Sequence, residues 1–313
     1  MKQFLQDVLK GLHADTKYLQ SKYFYDKKGD ELFQQIMNCD EYYLTNCEHE
    51  IFSSQTSALA DVIIEQQGNF DVVELGAGDA IKSVFLLKEL VKKKAIATYF
   101  PVDISTNIID LLHEKLPDQI PDLNIHGLNG EYLDMLASAK NISDKIKLVL
   151  FLGSNIGNIS MEEVPRFCKE LRSQLSPGDM VLIGMDLKKN PKQILAAYND
   201  SYGYTREFNL NLLRRINREL GGNFDLNSFD HYASYDPLSG ACRSFLVSLA
   251  DQKVTISNEE PISFYKDETI FMEISQKYTV SQADELAVKT GFIPVGHFFD
   301  KNKWFVDVVW RCV

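Results

Sequence analysis

From residue 70 to residue 186 the chain alternates short apolar runs with amphipathic stretches, and few architectures accept that rhythm. FDVVELGAG is followed by IKSVFLLKELVKK, and IATYFPVDIS by TNIIDLLHEKL. LNIHGL and KIKLVLFLG come next, then EEVPRFCKELRSQL, and a Pro177-Gly178 turn leads into DMVLIGMD. Runs that are apolar without alternation suit strands buried on both faces, with the intervening helices as the cover. The pattern therefore predicts a parallel, doubly wound α/β sheet.

After Asp186 the rhythm breaks. Helices near ILAAYND and FNLNLLRRINREL precede strand-like stretches around CRSFLVSLA, QKVTIS and ISFYKDETIFMEIS. A helix at SQADELAVKTG and the segments FIPVGHFFD and NKWFVDVVW then return to the sheet and finish it at an antiparallel edge. At 313 residues the chain exceeds the usual single core, so two domains are expected. A discontinuous sheet domain takes 48–188 and 278–313, and an α+β lobe takes 1–47 and 189–277.

No run reaches the roughly 20 continuous apolar residues of a membrane span. The opening MKQFLQDVLKGLHADTKYLQ mixes charges into an amphipathic helix unlike a secretory leader, so a cytoplasmic protein is expected. Cys39, Cys47, Cys168, Cys242 and Cys312 are odd in number and lack a CxxC pair, which predicts reduced, structural thiols and no metal site. A formal net charge of −11 opposes nucleic acid and favours a small cationic or zwitterionic partner. The oligomeric state is left open, with a monomer favoured.

Glu74-Leu75-Gly76-Ala77-Gly78 ends the first strand, where backbone comes close to a nucleotide-like ligand. The same glycines also suit a tight turn with no ligand. Pro101-Val102-Asp103 ends the second strand and puts an acid where ribose hydroxyls are bonded. Ile81 replaces the third glycine of a dinucleotide fingerprint, and Glu74 would repel a pyrophosphate. S-adenosylmethionine has a sulfonium and no phosphate, so an acidic loop attracts it. Glu131 and Tyr132 follow the third strand, where they suit an adenine amine and ring or simply a helix start.

Phe151 to Asn158, FLGSNIGN, crosses from a buried strand into a polar loop at the carboxyl end of the sheet. With SKYFYDKKGDELFQQI, DEYYLTNCEHEI, VELGAGDAIKS, YFPVDIS, LSPGDMVLIGMDL, AAYNDSYGYTREFNLNLLRRINREL, NFDLNSFDHYASYDP and MEIS, it resembles the histidine-specific methyltransferases of ergothioneine biosynthesis. The likeness runs along nearly the whole chain. It implies a class I methyltransferase fold, S-adenosylmethionine as methyl donor without a metal, and L-histidine methylated on its α-amine up to the trimethyl product, hercynine.

By motif position the resemblance implies Tyr42 at the substrate amine and Asn158 and Tyr198 at its carboxylate. It implies Glu273 and Ser275 on the imidazole, with Phe33, Gly153, Asn155 and Ser244 around the pocket. Tyr25, Glu74, Gly76, Gly78, Lys82, Asp103, Glu131 and Tyr132 would hold the cofactor. Asn155 stands where bacterial members usually carry threonine, Ser244 where they carry methionine, and Glu131 replaces an aspartate. Three rival readings stay open: another aromatic amino acid such as a tryptophan analogue, a non-catalytic S-adenosylmethionine binder, and a nicotinamide dehydrogenase. The tyrosines and Phe33 also suit plain aromatic packing, and the Glu-x-Ser pair an exposed strand face.

Overall fold

The computed structural model describes residues 2–65 and 69–313. The chain opens with α1 (Lys2–Leu12), α2 (Lys27–Met37) and the long α3 (Tyr43–Ile64). The alternating part follows as β1 (Phe70–Leu75), α4 (Ser83–Lys92), β2 (Ile96–Asp103), α5 (Thr106–Gln119), β3 (Leu128–Asn129), α6 (Tyr132–Ile142), β4 (Lys147–Phe151), α7 (Val164–Ser173) and β5 (Met180–Asp186). Next come α8 (Pro191–Ala197), α9 (Tyr204–Leu220), β6 (Phe229–Asp236), β7 (Ala241–Ser248), β8 (Gln252–Val254), β9 (Ile262–Phe264) and β10 (Thr269–Gln276). The last elements are α10 (Val280–Lys289), β11 (Phe292–Phe299) and β12 (Phe305–Cys312). The chain divides into two compact units, residues 44–188 with 276–313 and residues 1–43 with 189–275.

Among the described residues, the first unit holds a seven-stranded sheet in the order β11-β12-β5-β4-β1-β2-β3. Strand β1 pairs in parallel with β2 and with β4, whereas β12 runs antiparallel to β5 and β11. Every residue of β1 is buried, the two acids Asp71 and Glu74 included. The order reverses beside β1, so the ends of β1 and β4 flank a switch point where α/β sheets bind ligands. Val73, Phe100, Val149, Val181 and Trp310 belong to one continuous core. The expected strand LNIHGL shrinks to Leu128–Asn129 plus one bridge at Ile125. Gly127 lies tightly against Ile109 and His113, which draws that segment onto α5 and off the strand path.

The second unit packs α1, α2 and α9 with a three-stranded sheet, β10-β7-β6, and the β8–β9 hairpin. Phe24, Leu32, Ile36, Phe208, Leu213 and Met272 share its core. Asp26 ties its N-terminal and later segments together. It caps α2 by accepting from the Gly29 amide at 2.8 Å, and it also accepts from Asn211 on α9 and Arg218. Burial alone would raise this carboxyl, but Arg218 and the other donors hold it below the usual range. Strand β6 was not foreseen, because FDHYASYD lacks an apolar alternation.

All five cysteines are buried, and none is in a disulfide. No helix of the described residues is long and apolar enough to cross a membrane. The lysine run 92–94 is exposed at the end of α4.

Candidate active site

Beyond β1 the backbone turns left-handed at Gly76 (φ 76°), Gly78 (φ 52°) and Ala80 (φ 55°). A Cβ at Gly76 would sit 3.0 Å from the Asn155 side-chain nitrogen and 3.1 Å from the Tyr132 hydroxyl. Gly76, Asn155 and Tyr132, named from three separate motifs, therefore converge. Gly78 has open space where a Cβ would point, and its amide donates to Asp103 Oδ2 at 3.2 Å. The other Asp103 oxygen accepts from the Ser105 amide at 2.9 Å, and burial lifts this carboxyl above its ordinary value despite those donors. Tyr132 stands edge-on to Phe151, centroids 5.4 Å apart, and burial pushes its phenol up. Glu131 is exposed at the start of α6 and makes no side-chain cap.

Glu74 departs from the sequence argument. It is 3% exposed and accepts the Tyr99 hydroxyl at 2.5 Å, and burial pushes it up to about 7. A carboxyl on this interior strand is walled in, so it does not present a full charge to a ligand in the loop. Asp103 and Glu131 are the acids left to do so.

The loop after β4 breaks the strand with Gly153 (φ 69°) and Ser154 (φ 57°). Left-handed backbone at a serine costs of order 1 kcal/mol and persists where its surroundings over-determine it. Here the Ser154 hydroxyl accepts from the Asp186 amide at 3.2 Å, and its carbonyl accepts from Gly157 at 2.8 Å. Gly157 fits against the Gln276 backbone, where a Cβ would come within 3.0 Å of the carbonyl oxygen. Asn158 ends the resulting 3-10 turn and is exposed. Gly153 donates its amide to Glu48 at 2.8 and 3.0 Å, and Lys82 forms an ion pair with the same carboxylate. Glu48 was missed at the sequence level. Nothing in DEYYLTNCEHEI distinguishes it from a charge on a solvated helix face, yet it is fully buried.

In the second unit, Tyr42 precedes α3 and Tyr198 ends α8, and their rings meet edge to face at 6.1 Å. The Tyr198 hydroxyl is 2.7 Å from the Ser275 hydroxyl on β10. Glu273 lies two residues earlier on that strand, the spacing that puts two side chains on one face. Phe33 packs with Tyr25 and Phe208, centroids 5.7 and 5.8 Å away. Tyr25, named from the resemblance as a cofactor residue, belongs to this aromatic cluster. Ser244 is buried on β7, opposite Ala233. His231, on the same hairpin, has both ring nitrogens buried and without hydrogen-bond partners, and burial pushes it down to about 4. It is a neutral imidazole that sequence reading passed over.

The family of histidine-specific, S-adenosylmethionine-dependent methyltransferases matches residues 4–312. The chain belongs to it. Histidine N-alpha-methyltransferase of Mycolicibacterium smegmatis is 31% identical over 274 residues, covering 87% of this chain and 84% of that one. Ergothioneine biosynthesis protein 1 of Neurospora crassa is 31% identical over 287 residues, 90% of this chain and 32% of that one. An L-tryptophan methyltransferase of Psilocybe serbica is 25% identical over 320 residues, 94% of this chain and 89% of that one.

The family is enzymatic and uses S-adenosylmethionine, so the dehydrogenase and silent-binder readings fall away. The loop chemistry fits that cofactor. It carries the Asp103 carboxyl, with Glu131 exposed at the start of α6, while Lys82 is already bound to Glu48. That set suits a sulfonium nucleoside better than a pyrophosphate. Among the described residues, no group of three or more His, Cys, Asp and Glu side chains is placed to hold a metal ion.

Proposed function

We propose that this methyltransferase transfers methyl groups to the α-amino nitrogen of L-histidine, up to the trimethyl product hercynine, as a step toward ergothioneine. The observation that carries the reading is the Tyr198–Ser275 hydroxyl pair beside Tyr42, on the strand that also bears Glu273. Hydroxyls and a carboxylate grouped this way match a zwitterion with an imidazole. A site built to hydrogen-bond a ring N–H discriminates far more strongly than an apolar pocket does.

S-adenosylmethionine supplies an electrophilic methyl on a sulfonium. When bound, it would offer the neutral amine lone pair a methyl group for displacement, with S-adenosylhomocysteine as the leaving group. A free α-amine has a pKa near 8, so a proton must leave before each transfer. Tyr42 orients the amine through its phenolic oxygen, and Asn158 and Tyr198 donate to the carboxylate. Glu273 accepts from the imidazole N–H and Ser275 bonds the other nitrogen. Gly153, Asn155 and Ser244 shape the pocket, and Phe33 accommodates the quaternary product with cation–π attraction of about 0.5–2 kcal/mol. Gly76, Gly78, Asp103, Glu131 and Tyr132 hold the nucleoside, with Tyr25 and Lys82 as supports. The protein acts on a small molecule in the cytoplasm, without metal or nucleic acid.

The test is mass spectrometry after incubating the purified protein with S-adenosylmethionine and each of the twenty amino acids separately. Gains of one to three methyl groups on histidine alone are expected. Methylation of tryptophan or another amino acid in place of histidine would overturn the Glu273/Ser275 assignment and implicate Ser244 and Asn155.

A further inference from the structure

Beside the loops that follow β1 and β4 lies a largely buried cluster of charge built on Glu48 and Asp307, two carboxyls that no step above uses. Glu48, on α3, is fully buried, takes the Gly153 amide on both oxygens and holds Lys82 in an ion pair. The Lys82 ammonium in turn lies 3.6 Å from the point a Cβ on Gly153 would occupy. One carboxylate thus ties the glycine loop at Lys82 to the start of the loop after β4. Strand β5 makes room for it with Gly184, where any Cβ would fall inside van der Waals contact with Glu48 Oε1. Directly across the antiparallel ladder from Gly184 is Asp307.

Asp307 is also fully buried, and neither of its oxygens receives a hydrogen bond from another group. Glu48 and Lys82 are the charges that act on it. Two buried carboxyls beside one half-buried ammonium leave one buried negative charge without a partner, which is costly. Glu74, the remaining carboxyl acting on Lys82, is already bonded to Tyr99. A proton on Asp307 removes both difficulties, since it neutralises the surplus charge and gives Asp307 a donor to offer Glu48. Burial first, and then the Glu48 charge, push Asp307 well above the ordinary aspartate range. Burial alone would lower Lys82, but the attraction of Glu48 outweighs it and lifts the ammonium.

We propose that Glu48 is a positioning residue that locks the glycine loop to the loop carrying Asn155 and Asn158, and that Asp307 holds Glu48 in place as a neutral carboxylic acid donating to it. The proposal rests on the reading that these loops cradle the nucleoside. Glu48 touches no substrate. It works by fixing the Gly153 amide and the Lys82 ammonium before the cofactor arrives, so their ordering is not charged against binding. A glutamine at position 48 keeps the size but loses the ion pair and cannot accept on both atoms.

The test is calorimetric titration of the purified protein with S-adenosylhomocysteine, run for Glu48→Gln, Asp307→Asn and Asp307→Val. Asparagine imitates a protonated aspartate, so Asp307→Asn should bind within about threefold of wild type, while Glu48→Gln and Asp307→Val should bind about tenfold or more weakly. Wild-type affinity in Glu48→Gln, or Asp307→Asn as weak as Asp307→Val, would overturn the proposal. Infrared spectroscopy gives a second reading that survives a poorly folding variant. The wild type minus Asp307→Asn difference spectrum at pH 7 should show a protonated-carboxyl C=O band beyond the one Glu74 leaves in both proteins, and a flat difference would contradict a neutral Asp307. No amino-acid acceptor is present in either experiment, so the histidine assignment stands or falls separately by product mass.

Discussion

In the unit of residues 44–188 and 276–313, groups converge because backbone permits it. Gly76 and Gly78 turn left-handed, Asn155 and Tyr132 crowd the space a Cβ would take, and Gly153 and Ser154 bend away from β4. In the unit of residues 1–43 and 189–275, the convergence belongs to side chains. Tyr42, Tyr198 and Ser275 come from a helix entrance, a helix end and a strand, and they meet by ring edge and hydroxyl. A backbone cradle suits an unvarying cofactor, since it cannot change without moving the chain. A site of side chains can change its ligand by single substitutions on an unmoved frame. On the proposed reading, cofactor affinity rests mainly on the first unit and acceptor choice mainly on the second, with Gly153, Asn155 and Asn158 the acceptor residues carried by the first.

The sharpest way to break that division is Asp103→Ala, which removes the acid assigned to the ribose. A loss of roughly 100-fold in S-adenosylhomocysteine affinity is expected from a hydrogen bond to a charged group, read by calorimetry. Gly76→Ala follows. Its Cβ meets Asn155 and Tyr132 at a φ of 76°, so about a tenfold loss of cofactor affinity and a lower Tm are expected. In the other unit, Tyr198→Phe removes one hydroxyl partner of Ser275. It should raise the KM for histidine about tenfold while leaving S-adenosylhomocysteine affinity unchanged, the low end for a hydrogen bond to a carboxylate.

The smallest effect concerns Glu74, faced by Tyr99, Ser83, Lys82 and Glu48. Its folded value, about 7, lies above its ordinary 4.5, so between those pH values the folded chain binds more protons than the unfolded chain. Stability from this group is therefore fully present below about 4.5 and falls as pH rises toward 7. Glu74→Gln should remove that fall, and the Tm difference between variant and wild type should widen by a few degrees from pH 5 to pH 8.

What was legible in the sequence follows the same division. Strands β1, β2, β4 and β5, the glycine loop and the antiparallel finish by β11 and β12 were marked by apolar runs, glycines and spacing, all local signals. Strand β6 was not, since its Asp230, His231 and Asp236 hide the alternation. The pairing of Tyr198 with Ser275 joins residues 77 apart, a distance no local pattern encodes, and only the family likeness pointed there. Glu48 and Asp307 were invisible because buried charge looks like surface charge until the fold closes over it. Glu74 was read as a ligand-facing acid for the same reason.

The most direct test of the division is Glu273→Ala, with histidine turnover and S-adenosylhomocysteine affinity measured on the same preparation. Histidine turnover lost by 100-fold or more, as expected when a site loses its partner for a ring N–H, together with wild-type S-adenosylhomocysteine affinity would support it. An equal loss of cofactor affinity, or histidine turnover close to wild type, would contradict it.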